Sequence, residues 1–125
     1  MKYNTCIRNL LKLILVLQNN SIDISDISND CTKPFLGPSI LNECYNTRVL
    51  TLYTKDGNLF ESTFYDTGKL RNSPYFRVQD ITDDCCTLLI LDNIDGVFIS
   101  TKQTVVVRLS CICAVKCITD VSVSL

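Results

Sequence analysis

One run near the C-terminus limits the possible folds more than any other: Thr104-Val-Val-Val-Arg-Leu-Ser-Cys-Ile-Cys-Ala-Val-Lys-Cys-Ile-Thr-Asp-Val121. Its odd positions from Val105 to Cys117 (Val105, Val107, Leu109, Cys111, Cys113, Val115, Cys117) are all apolar or cysteine. The even positions mix Val106, Ile112 and Ala114 with Thr104, Arg108, Ser110 and Lys116. Strand side chains alternate between faces, so the run predicts a long β-strand or strand pair with one wholly buried face. That face would carry the thiols of Cys111, Cys113 and Cys117. Cys111 and Cys113 would then point the same way about 6.5–7 Å apart. This is at or beyond the reach of an easy disulfide, so their partners should lie elsewhere in the fold or on another chain.

The chain upstream agrees with a β-rich reading. Val49–Thr54 and Asn58–Tyr65 flank Lys55-Asp56-Gly57, a strong hairpin signal. Thr67-Gly-Lys-Leu-Arg-Asn-Ser-Pro74 reads as a surface connection. Tyr75–Ile81 and Cys85–Leu91 flank Thr82-Asp83-Asp84 as a second hairpin, and Leu88-Leu-Ile-Leu91 is apolar on both parities, as in a strand covered on both faces. Asp92-Asn-Ile-Asp-Gly96 turns the chain again, and Lys102-Gln103 is expected to bend it between two final strands. The alternation in Val121-Ser-Val-Ser-Leu125 suggests a terminal strand available to a neighbour. Together these predict a mainly β antiparallel sandwich or barrel-like domain.

The N-terminus is different in kind. Ile7, Leu10, Leu11, Ile14 and Leu17 share one helical face, with Arg8, Asn9 and Lys12 on the other. This predicts an amphipathic helix over residues 3–19. A secretory signal is the alternative, but Lys12 interrupts the apolar run and Gln18-Asn-Asn-Ser-Ile-Asp23 offers no small-residue cleavage site. The run is also too short to span a bilayer. Residues 21–30 alternate isoleucine with Ser and Asp and read as an extended linker, and Cys31–Pro38 as a rigid turn. The chain therefore divides into a helix and linker (1–33) and one β-rich assembly domain (34–125).

Composition narrows the function. The 125 residues are 46% hydrophobic with a formal net charge of −1, and the mean hydropathy is +0.20. Low net charge on an apolar surface favours association between copies. No basic stripe exists, which argues against nucleic acid as a partner. Eight cysteines (Cys6, Cys31, Cys44, Cys85, Cys86, Cys111, Cys113, Cys117) suggest oxidation, though they also suit buried free thiols. Such a load is ordinary outside the cytosol, yet no convincing export signal precedes it.

No active site emerges. Histidine is absent, which removes the commonest general base and a favoured metal ligand. The cysteine spacing lacks the paired knuckles of structural zinc, and neighbouring Cys85 and Cys86 point to opposite faces of an extended strand. Redox catalysis needs an exposed low-pKa thiolate, whereas these thiols sit among Val and Ile. Glu43, Glu61, Asp66 and the Asp83-Asp84 pair are the acid–base candidates, and adjacent turn aspartates are normally solvated. Arg48, Arg71, Arg77 and Arg108 are scattered as surface cations would be. No P-loop, nucleophile elbow or dinucleotide fingerprint occurs. No metal and no cofactor is expected.

Several blocks nonetheless form a pattern. They are Pro34-Phe-Leu-Gly37, Asn46-Thr-Arg48, Leu52-Tyr-Thr-Lys-Asp-Gly57 with Phe60-Glu61, Ser73-Pro-Tyr-Phe-Arg-Val78, and Leu109-Ser-Cys-Ile-Cys-Ala-Val-Lys-Cys-Ile-Thr-Asp-Val121. In this order they resemble the spore coat Y/Z family of outer coat and exosporium proteins of endospore-forming bacteria. The resemblance implies a structural, non-enzymatic protein that self-assembles into ordered arrays cross-linked by disulfides. It implies synthesis in the mother-cell cytoplasm without a signal peptide, with oxidation following later at the spore surface. The implied partners are further copies of the chain and other coat or exosporium proteins. Cys86, Cys111, Cys113 and Cys117 match family cysteines, and Cys31 and Cys44 flank the Pro34 block. Against that pattern the chain is shorter between Leu91 and Val97, carries Thr104 where cysteine is expected and Arg108 where an acidic residue is frequent, and lacks a cysteine- and histidine-rich N-terminal tract. A secreted, disulfide-rich monomeric binding module is the alternative from another class.

Overall fold

The computed structural model describes residues 5–22 and 45–125. The N-terminal helix runs to Ile22, past its expected end at residue 19 and into the linker expected over 21–30; the rest of that linker, the Cys31–Pro38 turn, Cys44 and Glu43 lie outside the described residues. One helix, α1 (Thr5–Ile22), comes first. The strands are β1 (Thr47–Thr54), β2 (Ser62–Asp66), β3 (Lys69–Ser73), β4 (Tyr75–Ile81), β5 (Cys85–Ile94), β6 (Val97–Arg108) and β7 (Ile112–Val121). A single 3-10 turn, Leu109–Cys111, separates the last two.

These strands make an antiparallel five-stranded sheet in the order β6-β5-β4-β1-β7 and a separate β2-β3 ribbon. The domain is therefore mainly β with an N-terminal helix, as the sequence predicts, and its sheets stay open instead of closing into a complete barrel. Connectivity explains the curvature. β6 and β7 are the two outermost strands, yet only Leu109–Cys111 joins them. A link this short spans about 14 Å at most. The sheet must coil until its two edges meet at this corner. Val107 of β6 and Leu52 of β1 indeed line one recess there, and the Leu109 N–H donates to the Asp84 carbonyl at 2.7 Å.

The core lies on the concave face. Leu50, Leu52, Phe76, Val78, Cys86, Leu88 and Ile90 alternate along β1, β4 and β5 into one cluster with Leu109 and Ile112. α1 packs onto this cluster through Leu11 and Ile14, which are 0% and 1% exposed. Fully burying such a side chain contributes about 1.5–3 kcal/mol, and an isolated helix of this length would be marginal without it. The ribbon adds Phe64, and Phe60 stacks on Phe76 with centroids 5.4 Å apart. The alternate residues Val49, Leu89 and Leu91 form a smaller cluster on the other face with Val123, Tyr75 and Phe98. Leu88–Leu91 is thus covered on both sides, as its double-parity apolar run requires.

Four local expectations need correction. The Lys55-Asp56-Gly57 turn forms, but it closes only a stub: Phe60 N–H donates to Leu52 O and Tyr53 bridges Leu59 before the chain leaves for the ribbon. β1 finds its long partner in β7 instead, because the corner delivers β7 to its free edge. The segment 67–74 is no surface connection: Thr67 and Gly68, with φ of 50° and 86°, turn the β2-β3 hairpin. Lys102-Gln103 does not separate two strands. β6 runs through it as a bulge, with Lys102 at φ 65° and a register shift against Leu89–Leu91. Finally, the chain end is held: Val123 is 4% exposed, and its N–H and C=O both bond the Asn46 side chain.

Candidate assembly edge and its thiols

β7 lies at the margin of the five-stranded sheet and, among the described residues, pairs only with β1. Opposite residues share a face, so Val115 goes with Leu52 and Cys117 with Leu50. Two irregularities interrupt this ladder. Thr54 and Tyr53 oppose Ile112 and Ala114, leaving Cys113 as an extra residue, and Leu50 and Val49 oppose Cys117 and Thr119, leaving Ile118 extra. Each bulge resets the alternation of faces. The corner at Leu109–Cys111 and the bulge at Cys113 break the expected alternation, and Cys117, although on the Leu50 face, lies at the sheet margin, so the expected buried thiol face does not form. Leu109 and Ile112 take the buried positions, and Cys111, Cys113 and Cys117 are all exposed. Ile118, 40% exposed, shares the same edge.

The other described cysteines differ among themselves. Cys6 is exposed on α1, Cys85 is half-buried and Cys86 is buried, all as free thiols. Cys85 pairs with Arg108 in the β5-β6 ladder, so the two adjacent cysteines do face opposite sides. Burial pushes the Cys86 thiol up to about 12, with Asp80 and Cys85 adding to it. The Cys117 thiol is also pushed up, chiefly by desolvation; Arg48 opposes this and Asp120 assists it. Cys31 and Cys44 lie outside the described residues.

Beside Cys117 stands an ion pair that the sequence did not announce. Arg48 donates from Nε and a terminal nitrogen to both Asp120 oxygens at 2.8 and 3.1 Å. This fork joins β1 to β7 and raises the Arg48 pKa. Arg48 belongs to the Asn46-Thr-Arg48 block, whose members all have structural tasks. Asn46 clamps Val123, and Thr47 Oγ1 accepts from Arg77 Nε at 2.9 Å. Arg77, from the Ser73–Val78 block, also donates to Asn46 O at 3.0 Å. It is 4% exposed, which corrects the surface reading of this residue. Ser73 donates to Leu91 O at 2.5 Å, and Phe76 is fully buried. Two blocks that are distant in sequence are thus one network across the β1-β4 seam.

The catalytic candidates are not brought together. Asp66 pairs with Arg71, which also forks onto Asp92. Glu61, Asp83 and Asp84 are exposed, and Asp83 lies 3.7 Å from Arg8. The recess at the corner, lined by Leu52, Tyr53, Phe60, Val107, Cys111 and Ile112 among others, presents apolar surface and one thiol. Among the described residues no cluster of His, Cys, Asp and Glu is arranged to hold a metal ion, and no described helix is long and apolar enough to cross a membrane.

A curled, mainly β domain whose marginal strand displays exposed thiols defines the class: a cysteine-rich β-domain. The comparisons give the family. The model of spore coat protein Z matches residues 1–96, and the chain belongs to that family. The match takes in the blocks from Pro34 to Val78 and ends before the 109–121 run. No curated protein matches the chain, and no solved structure does. Family membership makes the protein a structural component of the spore coat, at the spore surface.

Proposed function

We propose that the chain self-assembles into ordered arrays in the outer coat or exosporium, and that disulfides between copies then lock the array. The observation that carries this reading is the placement of Cys111, Cys113 and Cys117, exposed at a sheet margin instead of buried in the core. A marginal strand offers unpaired backbone groups to another chain, and thiols along it can make such a contact covalent. The core packs around the free Cys86 thiol without a disulfide among the described residues, which supports folding in a reducing compartment and oxidation afterwards. α1 contributes Leu11 and Ile14 to that core, which supports retention of the N-terminal segment in the working protein. The role is non-enzymatic, and the partners are other copies and other proteins of the same layers.

The test is expression of the full chain in a reducing cytosol, followed by negative-stain electron microscopy before and after oxidation. Ordered sheets, tubes or fibres are expected. A monodisperse monomer under both conditions would overturn the proposal.

A further inference from the structure

The β7 edge carries information about how two copies meet. Cys113 and Cys117 flank Val115 symmetrically, two residues to either side. An antiparallel pair of identical strands is related by a two-fold axis, and an axis through Val115 sets each residue opposite a fixed partner. Cys113 falls opposite the partner's Cys117, and Cys117 opposite the partner's Cys113. Ala114 faces the partner's Lys116, and Val115 the partner's Val115. The stretch from 113 to 117 that carries this register lies inside β7, between its two irregularities.

Three observations favour this contact. Among the described residues β7 has a sheet neighbour on one side only. Cys113 and Cys117 are exposed. Charge also permits it: Lys116 meets alanine, and Asp120 is already forked by Arg48, so no like charges oppose one another. The two cysteines cannot bridge within one chain, because four residues of strand separate their Cα atoms by about 13 Å, beyond disulfide reach. Opposite residues of an antiparallel pair lie about 4.5–5.5 Å apart, inside it.

We infer that β7 pairs with β7 of a second copy about Val115, and that two symmetric Cys113–Cys117 disulfides between the copies seal this joint. The inference rests on the self-assembly reading above and adds its register. The chemistry needs an oxidant, here a small disulfide such as oxidised glutathione. The Cys113 thiolate attacks one glutathione sulfur and expels a glutathione thiolate. The partner's Cys117 thiolate then attacks the Cys113 sulfur of the mixed disulfide and expels the second. Each bridge thus converts two protein thiols and one oxidised glutathione into one protein disulfide and two glutathione thiols, which take up the two protons.

Trypsin separates the two cysteines by cutting after Lys116, which makes the test direct. Full-length Cys111→Ser protein is oxidised with glutathione disulfide, digested without reduction and analysed by mass spectrometry. The expected product links Leu109–Lys116 to Cys117–Leu125. Cys113→Ser and Cys117→Ser versions of this protein should each lose that product. Mixed before oxidation, they should regain it, through the Cys117 of one and the Cys113 of the other. Circular dichroism on each variant confirms folding. Peptides joined Cys113 to Cys113 or Cys117 to Cys117 would overturn the register. So would assemblies, visible by light scattering, that contain no disulfide at this edge, although self-assembly itself would stand. A monomer that neither scatters nor cross-links would remove both readings.

Discussion

Gln18 and Val78 lie 60 residues apart and meet in the core, where the Gln18 Nε2 amide donates to the Val78 carbonyl at 3.0 Å. The same side chain accepts the Arg48 N–H at 3.0 Å through Oε1. β1 and β4 pair at a single position, Leu50 with Phe76. The amide therefore supplies, from the helix, backbone bonds that the splayed strands cannot make to each other. Arg77 spans the same seam toward Asn46 and Thr47.

Replacing Gln18 with alanine leaves a buried carbonyl and a backbone N–H short of a partner. Each such loss costs about 1–3 kcal/mol. Gln18→Ala should accordingly destabilise the domain by about 2–4 kcal/mol, measured by urea unfolding. A change within experimental error would mean that the seam is held by something else.

Cys86 should behave unlike the exposed thiols. A thiol raised from 9.0 to about 12 carries roughly a thousandfold less thiolate at a given pH. In native protein Cys86 should resist alkylation while Cys111 and Cys113 react, and denaturant should release it. Mapping of labelled peptides by mass spectrometry checks this.

The same shift has a pH signature. An unfolded chain loses the Cys86 proton above about pH 9, whereas the folded chain keeps it to about 12. The stability this supplies is complete below pH 9 and is lost as pH rises toward 12. Cys86→Ala should flatten the decline relative to the parent over that window. Cys86→Ser, the usual conservative choice, should be the worse substitution near neutral pH, by about 1–3 kcal/mol for an unpaired buried hydroxyl.

The β5-β6 turn is a backbone device. Asp95 and Gly96 hold φ of 53° and 87°, the twist that a two-residue hairpin requires. A Cβ at Gly96 meets nothing within 4 Å, so the cost of Gly96→Ala is conformational alone. A loss of about 1–2 kcal/mol is expected, and Asp95→Gly should be neutral or stabilising. Thermal melts of the two variants decide the matter.

Removing Cys111, Cys113 and Cys117 together should spare the fold, because none of them is in the core. Assemblies of the triple serine variant should form yet fall apart in hot detergent. Assemblies that survive boiling unchanged would place the cross-links at other cysteines.

Much of this was legible, and the failures are instructive. The β4-β5 hairpin and the double-sided burial of Leu88–Leu91 follow from residue type, because an apolar run on both parities has few other homes. The α1 face was readable too, and Gln18 could have been found there: it continues the Leu11–Ile14 stripe as the one amide on an apolar face. The β2-β3 hairpin was hidden because Thr67, β-branched, takes a positive φ that such residues rarely adopt. The thiols of the last strand were misplaced for a different reason. Alternation is a reliable guide only while the strand is regular, and the turn at Leu109–Cys111 and the bulge at Cys113 reset it, while Cys117 keeps the Leu50 face and is exposed because β7 is marginal. Nothing in residue type marks those resets, because they serve a corner formed by strands distant in sequence.

The division between a core whose one described thiol, Cys86, is sealed from reagents and a rim whose thiols are exposed has a material consequence. In the proposed array, resistance of one subunit to melting and resistance of the shell to tearing would depend on different bonds. A reductant would loosen such a shell into intact, reusable pieces, and an oxidant would cure it again, without any piece having to refold.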